Sequence, residues 1–94
     1  MEIEFDPKKH MANLVNSSRR LGFDRAHDFD WATASIAEDV RHVYPERRFV
    51  AVGYLDERLH VLCFTSITGG IRVISFRKAN QREAIKHGKP ITLN

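Results

Sequence analysis

The residue types with the clearest chemistry are concentrated in Arg72-Val73-Ile74-Ser75-Phe76-Arg77-Lys78-Ala79-Asn80-Gln81-Arg82-Glu83. From Ile67 to the last residue there are six Lys/Arg (Arg72, Arg77, Lys78, Arg82, Lys86, Lys89) and one acid, Glu83. The preceding residues hold nine Lys/Arg and eleven Asp/Glu, so the net charge of +3 joins a part at −2 to a part at +5. Such concentration calls for a polyanionic partner. Arg72, Arg77, Lys78 and Arg82 are candidates for holding phosphates, because guanidinium groups present planar, two-pronged donors that match phosphate oxygens. Clustered cations also stabilise the charge that builds on phosphorus during phosphodiester cleavage. Glu83 sits alone among them, where a carboxylate titrates low and is a weak base at neutral pH. On spacing alone two readings stand: a solvated face on which Glu83 pairs with neighbouring cations, or a site where a proton moves.

These residues need a strand and a helix to place them. Ile71 to Phe76 reads as a strand, and strict alternation puts Arg72, Ile74 and Phe76 on one face and Ile71, Val73, Ser75 and Arg77 on the other. Asn80 to His87 reads as a helix ended by Gly88. Lys78 and Arg82, and Arg82 and Lys86, share a helix face if the helix begins early, and Glu83 and His87 are i, i+4 neighbours.

The rest of the chain supplies the scaffold. Glu2 to Phe5 can form a short strand. Asp6-Pro7 is a helix start, with Asp as cap and Pro in the first turn, and Met11, Leu14 and Val15 form one apolar stripe. A second helix opens at Phe23-Asp24, with Ala26, Phe29 and Trp31 inward. Ala34 to Ala37 is a weak strand, and Val40 to Glu46, with Pro45, is a loop. Arg47 to Leu55, Arg58 to Thr65 and Ile71 to Phe76 then form a three-strand meander. Asp56-Glu57 makes its first turn, and Ser66 to Gly70 its second. Leu59, Val61 and Cys63 share one face, with Leu62 and Phe64 on the other. Strands joined by short turns are antiparallel. The expected class is therefore α+β: a twisted antiparallel sheet, the meander plus one or two further strands, with two N-terminal helices on one face and a short C-terminal helix.

A chain of 94 residues makes one domain, residues 1–94, with an irregular tail over 88–94. No apolar run approaches the roughly 20 residues of a membrane span. The acidic opening does not read as a signal peptide, and a lone Cys63 in an apolar strand reads as a buried structural thiol in a cytoplasmic, reducing setting. His10, His27, His42, His60 and His87 lie on different elements without the paired spacing zinc prefers, so no metal site is expected. Gly69-Gly70 is a turn, not a phosphate loop, because no Gly-Lys-Ser/Thr follows. No cofactor is called for.

Ile74-Ser75-Phe76-Arg77-Lys78-Ala79-Asn80-Gln81-Arg82-Glu83 resembles the "ISARKAxxRE" ending of the BrnT toxins. Phe5-Asp6-Pro7-Lys8-Lys9 with Asn13 is similar to their opening "WDPxKxxxN". Gly22-Phe23 and Ala26 match their second helix, and Arg47, Phe49, Gly53 and Leu59 match their meander. The resemblance implies a RelE-like ribonuclease fold, a toxin of a type II toxin–antitoxin system that cuts RNA and arrests translation, and a BrnA-like antitoxin that neutralises it. Operator DNA is reached only through that antitoxin, and a homodimer or a heterotetramer with it is the expected assembly. Arg72, Arg77, Lys78, Arg82 and Glu83 occupy the charged positions of the family motif.

A metal-free ribonuclease of this kind lets the ribose 2′-OH attack the adjacent phosphorus. Glu83 is then the candidate base, or it orients Arg77. Arg72, Arg77 and Arg82 hold the scissile phosphate, and Lys78 and Lys86 are further RNA contacts. His87 is the candidate acid, since histidine titrates in the right range. Lys8, Lys9 and His10 extend the RNA track. Three departures define an alternative. Asn16-Ser17-Ser18 stands where the family has "KHG", Ile67 where it has a hairpin Arg, and Ala84-Ile85-Lys86-His87 where it often has an aromatic. On that alternative the chain is a catalytically weakened homologue that binds antitoxin and acts as a corepressor.

Overall fold

Asp6 starts the first helix as its position before Pro7 predicts. In a computed structural model describing residues 1–94, its side chain accepts the Lys8 N–H at 2.8 Å, and Pro7 takes the first turn of α1 (Pro7–Val15). Ahead of α1 lies β1 (Glu2–Glu4), and after it a 3-10 helix (Phe23–Asp28). Then come β2 (Ser35–Glu38), β3 (Phe49–Leu55), β4 (Arg58–Ile67), β5 (Gly70–Lys78) and α2 (Gln81–His87). The five strands form one sheet in the order β1-β5-β4-β3-β2.

The meander stands as read. Leu55 pairs with Arg58, and the two linking residues Asp56 and Glu57 both take left-handed φ, 50° and 64°. That is the geometry of the hairpin turn whose twist matches its strands. Arg25 fastens this turn to the 3-10 helix, its Nη2 donating to both Asp56 oxygens at 2.9 Å. The second hairpin is tighter than expected. Ile67 pairs with Gly70, which leaves only Thr68-Gly69 as the turn.

The sheet is mixed rather than antiparallel. β1 pairs parallel to β5, with Glu2, Ile3 and Glu4 opposite Gly70, Ile71 and Arg72. The short-turn rule governs only consecutive strands, and nearly the whole chain separates these two. Gly70 is what lets β1 approach: a Cβ there would lie 1.9 Å from the Glu2 carbonyl oxygen. Gly70→Ala is accordingly expected to cost about 2–4 kcal/mol, with amide exchange rising first at Glu2–Glu4. A thermal melt with hydrogen-exchange readout measures both.

A second correction concerns the faces of β5. Cys63 pairs with Ser75 but Phe64 pairs with Val73, so Ile74 is an extra residue and the ladder shifts there. Such a bulge breaks alternation. Ile71, Val73 and Phe76 all enter the helix-side core, which puts Arg72 on the same face as Arg77 rather than opposite to it.

The helix-side core is built from Phe23, Ala26 and Phe29 against Leu62, Val73 and Phe76. Ala26 lies in a 3-10 helix, not an α-helix, and Phe29 caps it; both are buried as expected, while Trp31 lies beyond the helix and is only partly buried. α1 behaves differently from its stripe. Met11, Leu14 and Val15 are 53%, 41% and 72% exposed, and the only buried residue of α1 is Asn13. The reason is polar. Asn13 Nδ2 donates to the carbonyls of Leu21 and Phe76, both at 2.8 Å, and its Oδ1 accepts from Arg19. Carbonyls left buried without a partner are costly, and satisfying two of them with one side chain fixes which side of α1 faces inward.

On the other face a smaller cluster joins Val52, Tyr54, Leu59 and Val61 to Ala79 and Ala84 at the start of α2. The tail contains no named element but is fastened there. Leu59 N–H donates to Ile91 O and the Tyr54 hydroxyl to Pro90 O, both at 2.8 Å, and Thr92 bridges Arg58. No helix is long and apolar enough to cross a membrane.

Candidate nucleic-acid interface

The site begins with a helix cap. Asn80 Oδ1 accepts the Glu83 N–H at 2.9 Å, and Glu83 Oε1 accepts the Asn80 N–H at 2.9 Å. This reciprocal capping box is why α2 starts at Gln81. Gly88, at φ 60°, ends the helix as predicted. Lys78 is therefore the last residue of β5 and shares no helix face with Arg82.

The capping carboxylate does a second job. Arg77 Nη1 donates to Glu83 Oε1 at 2.9 Å and Nη2 to Oε2 at 2.8 Å, a two-pronged pair. The Arg77 hydrogen bonds pull the Glu83 pKa down to about 2, against an opposing effect of burial and with help from the Asn80 N–H. The same bonds raise the Arg77 pKa. Glu83 is thus ionised across the neutral range with both oxygens engaged. Of the two roles open to it, this geometry favours orienting Arg77.

Arg77 and Glu83 stand at one side of a groove of about 550 Å³. Its floor is Val50, Val52, Val61 and Cys63, from the face of the sheet opposite the 3-10 helix. One wall is α2, through Glu83, Lys86 and His87 at i, i+3 and i+4. The opposite wall is β2 and the loop after it, including Ile36, Val40 and Arg41. Cys63 is only partly buried, not the buried thiol expected. Here α2 is too short to roof the strand face, and the floor stays open.

The fold brings together Arg77, Glu83, Lys86 and His87 and separates the other candidates. Arg72 lies roughly 15 Å along β5 from Arg77, at about 3.3 Å per residue, and is held by Glu4 on β1. It shares a cleft of about 380 Å³ with Lys9 and Arg48. Lys8, Lys78 and Arg82 are exposed and do not line the groove. His10 is turned inward, stacked on Phe5, its Nδ1 accepting the Phe23 N–H at 2.9 Å.

Arg41 was not anticipated, because its segment reads as polar loop. The one signal was the Asp39-x-Arg41 spacing. Arg41 donates three hydrogen bonds to the Asp39 carboxylate, from its backbone N–H (3.1 Å), Nε (3.0 Å) and Nη2 (3.0 Å). The Tyr44 hydroxyl donates a fourth at 3.1 Å.

Fold and site together define a small α+β protein with an open, cation-edged groove. The sequence places it more narrowly. Residues 5–83 match the family described as the ribonuclease toxin, BrnT, of type II toxin–antitoxin systems, and the chain belongs to that family. The family is one of ribonucleases that act as toxins and have an antitoxin as partner. Comparison with curated proteins and with solved structures gives no match.

Proposed function

We propose that this chain is the toxin of such a pair, a RelE-like endoribonuclease that cleaves RNA in the groove without a metal ion and so stops translation in the cytoplasm. The observation that carries this reading is Arg77, locked by Glu83 at the groove's edge beside Lys86 and His87. A guanidinium fixed in advance stabilises charge developing on phosphoryl oxygens without reorganising.

The ribose 2′-OH attacks the adjacent phosphorus, the P–O5′ bond breaks, and a 2′,3′-cyclic phosphate forms. Arg77 holds the non-bridging oxygens. Solvent water takes the 2′-OH proton, and His87 gives a proton to the departing O5′ as general acid. Glu83 acts through Arg77. Lys86 adds a phosphate contact in the groove. Arg72 and Lys9 meet the strand further along, and Arg82, Lys78 and Lys8 contribute to the basic field. A BrnA-like, DNA-binding antitoxin neutralises the enzyme and carries it to operator DNA.

The corepressor reading rests on the missing hairpin arginine and on Asn16-Ser17-Ser18 in place of KHG, and neither lines the groove. Ile67 pairs with Gly70 at the hairpin tip, four residues beyond Cys63 and outside the groove lining. At about 3.3 Å per residue that is roughly 13 Å from the groove floor. The loss of the hairpin arginine removes a contact remote from the groove, which favours the active enzyme.

Induced expression of the wild-type chain without antitoxin is expected to arrest growth and fragment RNA. The same purified protein should cut RNA in a chelating buffer. Normal growth together with intact RNA would support the corepressor reading instead.

A further inference from the structure

Two arginines edge the groove from opposite sides. Arg77 comes from β5, and Arg41 comes from the loop after β2, facing it across the floor residues Cys63 and Val61. Each is held by a carboxylate through two guanidinium nitrogens, Arg77 end-on by Nη1 and Nη2 and Arg41 side-on by Nε and Nη2. For Arg77 that carboxylate is Glu83, shared with the α2 cap. For Arg41 it is Asp39, whose side chain is 8% exposed while that of Arg41 is 76% exposed. A surface ion pair in water contributes little to stability. Here the side chain of the acid is largely covered and its four hydrogen bonds are all made within residues 39–44, so the geometry restrains a solvent-facing cation. Asp39 engages Nε and Nη2, which leaves the Nη1 donors of Arg41 unspent.

The other charges on this wall are accounted for. Glu38 is gripped by Arg47, through Nη2 at 2.9 Å and Nε at 3.1 Å, on the same pattern. No acid of the groove is left free to repel an incoming phosphate: Glu38, Asp39 and Glu83 each hold an arginine.

We propose that Arg41 is a second RNA-contacting arginine, binding a backbone phosphate from the β2 side so that the strand is clamped between Arg41 and Arg77. The proposal rests on the RNA-cleaving reading above. It adds a residue that belongs to no part of the C-terminal basic motif, and it gives the loop over residues 39–48 a role as one jaw of the site.

The test uses the full-length protein and a single-stranded, fully 2′-O-methylated oligoribonucleotide, which binds but is not cut. Arg41→Ala is expected to weaken binding about 10-fold or more, the worth of one charge-assisted hydrogen bond to phosphate. The slope of log K against log salt should fall by about 0.7, one phosphate contact on a single strand. Arg41→Lys should keep most of the slope, and Arg20→Gln, which removes a remote exposed charge, should leave it unchanged. An unchanged slope in Arg41→Ala, with wild-type binding intact, overturns the assignment of Arg41 alone. The assignment is equally overturned if Arg41→Ala changes the rate at which a maleimide reaches Cys63 but not the slope, which would make Arg41 a prop for the loop. A wild-type protein that neither binds nor cuts RNA overturns the underlying reading and this one together.

Discussion

Arg77→Ala is expected to abolish growth arrest and to slow RNA cleavage by about 10²–10³-fold, the usual effect of removing one preorganised donor from a site where charge develops. The loss should fall mainly on the cleavage step, because Lys86 and the cations outside the groove still attract the strand. The fold should survive, since the side chain is 36% exposed and forms no part of either apolar core. Arg77→Lys should rescue little. A single ammonium cannot engage both Glu83 oxygens and a phosphate in one plane. Single-turnover cleavage with a melting curve on the same sample checks this. Cleavage within a few-fold of wild type in Arg77→Ala would remove Arg77 from the reaction.

Glu83→Gln is expected to reproduce most of that loss by another route and to expose itself through pH. The Glu83 pKa lies near 2 in the folded protein, well below the ordinary 4.5. A carboxylate with a lowered folded pKa contributes stability that is fully present above its unfolded pKa and is lost as pH falls through the folded one. The wild-type protein should therefore lose stability between about pH 4.5 and 2 more steeply than Glu83→Gln. At neutral pH the variant should be less stable by about 1–2 kcal/mol, because the charged hydrogen bonds to Arg77 are weakened while a capping acceptor remains. In the cleavage reaction Glu83 does not titrate between pH 5 and 8. Any inflection there belongs to another group. The double variant with Arg77→Ala should be no slower than Arg77→Ala alone, as expected for residues that act as a unit. Additive losses would instead give Glu83 a chemical role of its own.

The meander, its first turn and α2 were legible because each carries strong local chemistry. Asp56-Glu57 sits between apolar runs, and Asn80 and Glu83 stand at the spacing of a capping box. The pairing of β1 with β5 was not legible, since Glu2 to Phe5 has no sequence cue to a partner nearly seventy positions away. The bulge at Ile74 was hidden for a related reason. Alternation is a property of one strand, whereas a bulge exists only between two. The α1 stripe misleads because apolar periodicity takes no account of the backbone carbonyls of Leu21 and Phe76, which need Asn13 more than the core needs Met11. In the site, Arg77 and Glu83 were found through their sequence neighbourhood. Arg41 was missed because its place opposite them is set by the length of β2, not by any motif.

The parallel pairing of β1 with β5 also bears on when the protein becomes active. The first strand made is completed by nearly the last, with Glu4 waiting for Arg72. Contacts so distant in sequence form late and slowly. The groove depends on later residues still, since Arg77 meets Glu83 and the α2 wall ends at His87. A chain still being synthesised holds Arg41 and most of the floor, but neither Arg77 nor the carboxylate that fixes it. On the proposed reading an interrupted chain is therefore a harmless one, and cutting ability arrives only with the final turn of helix.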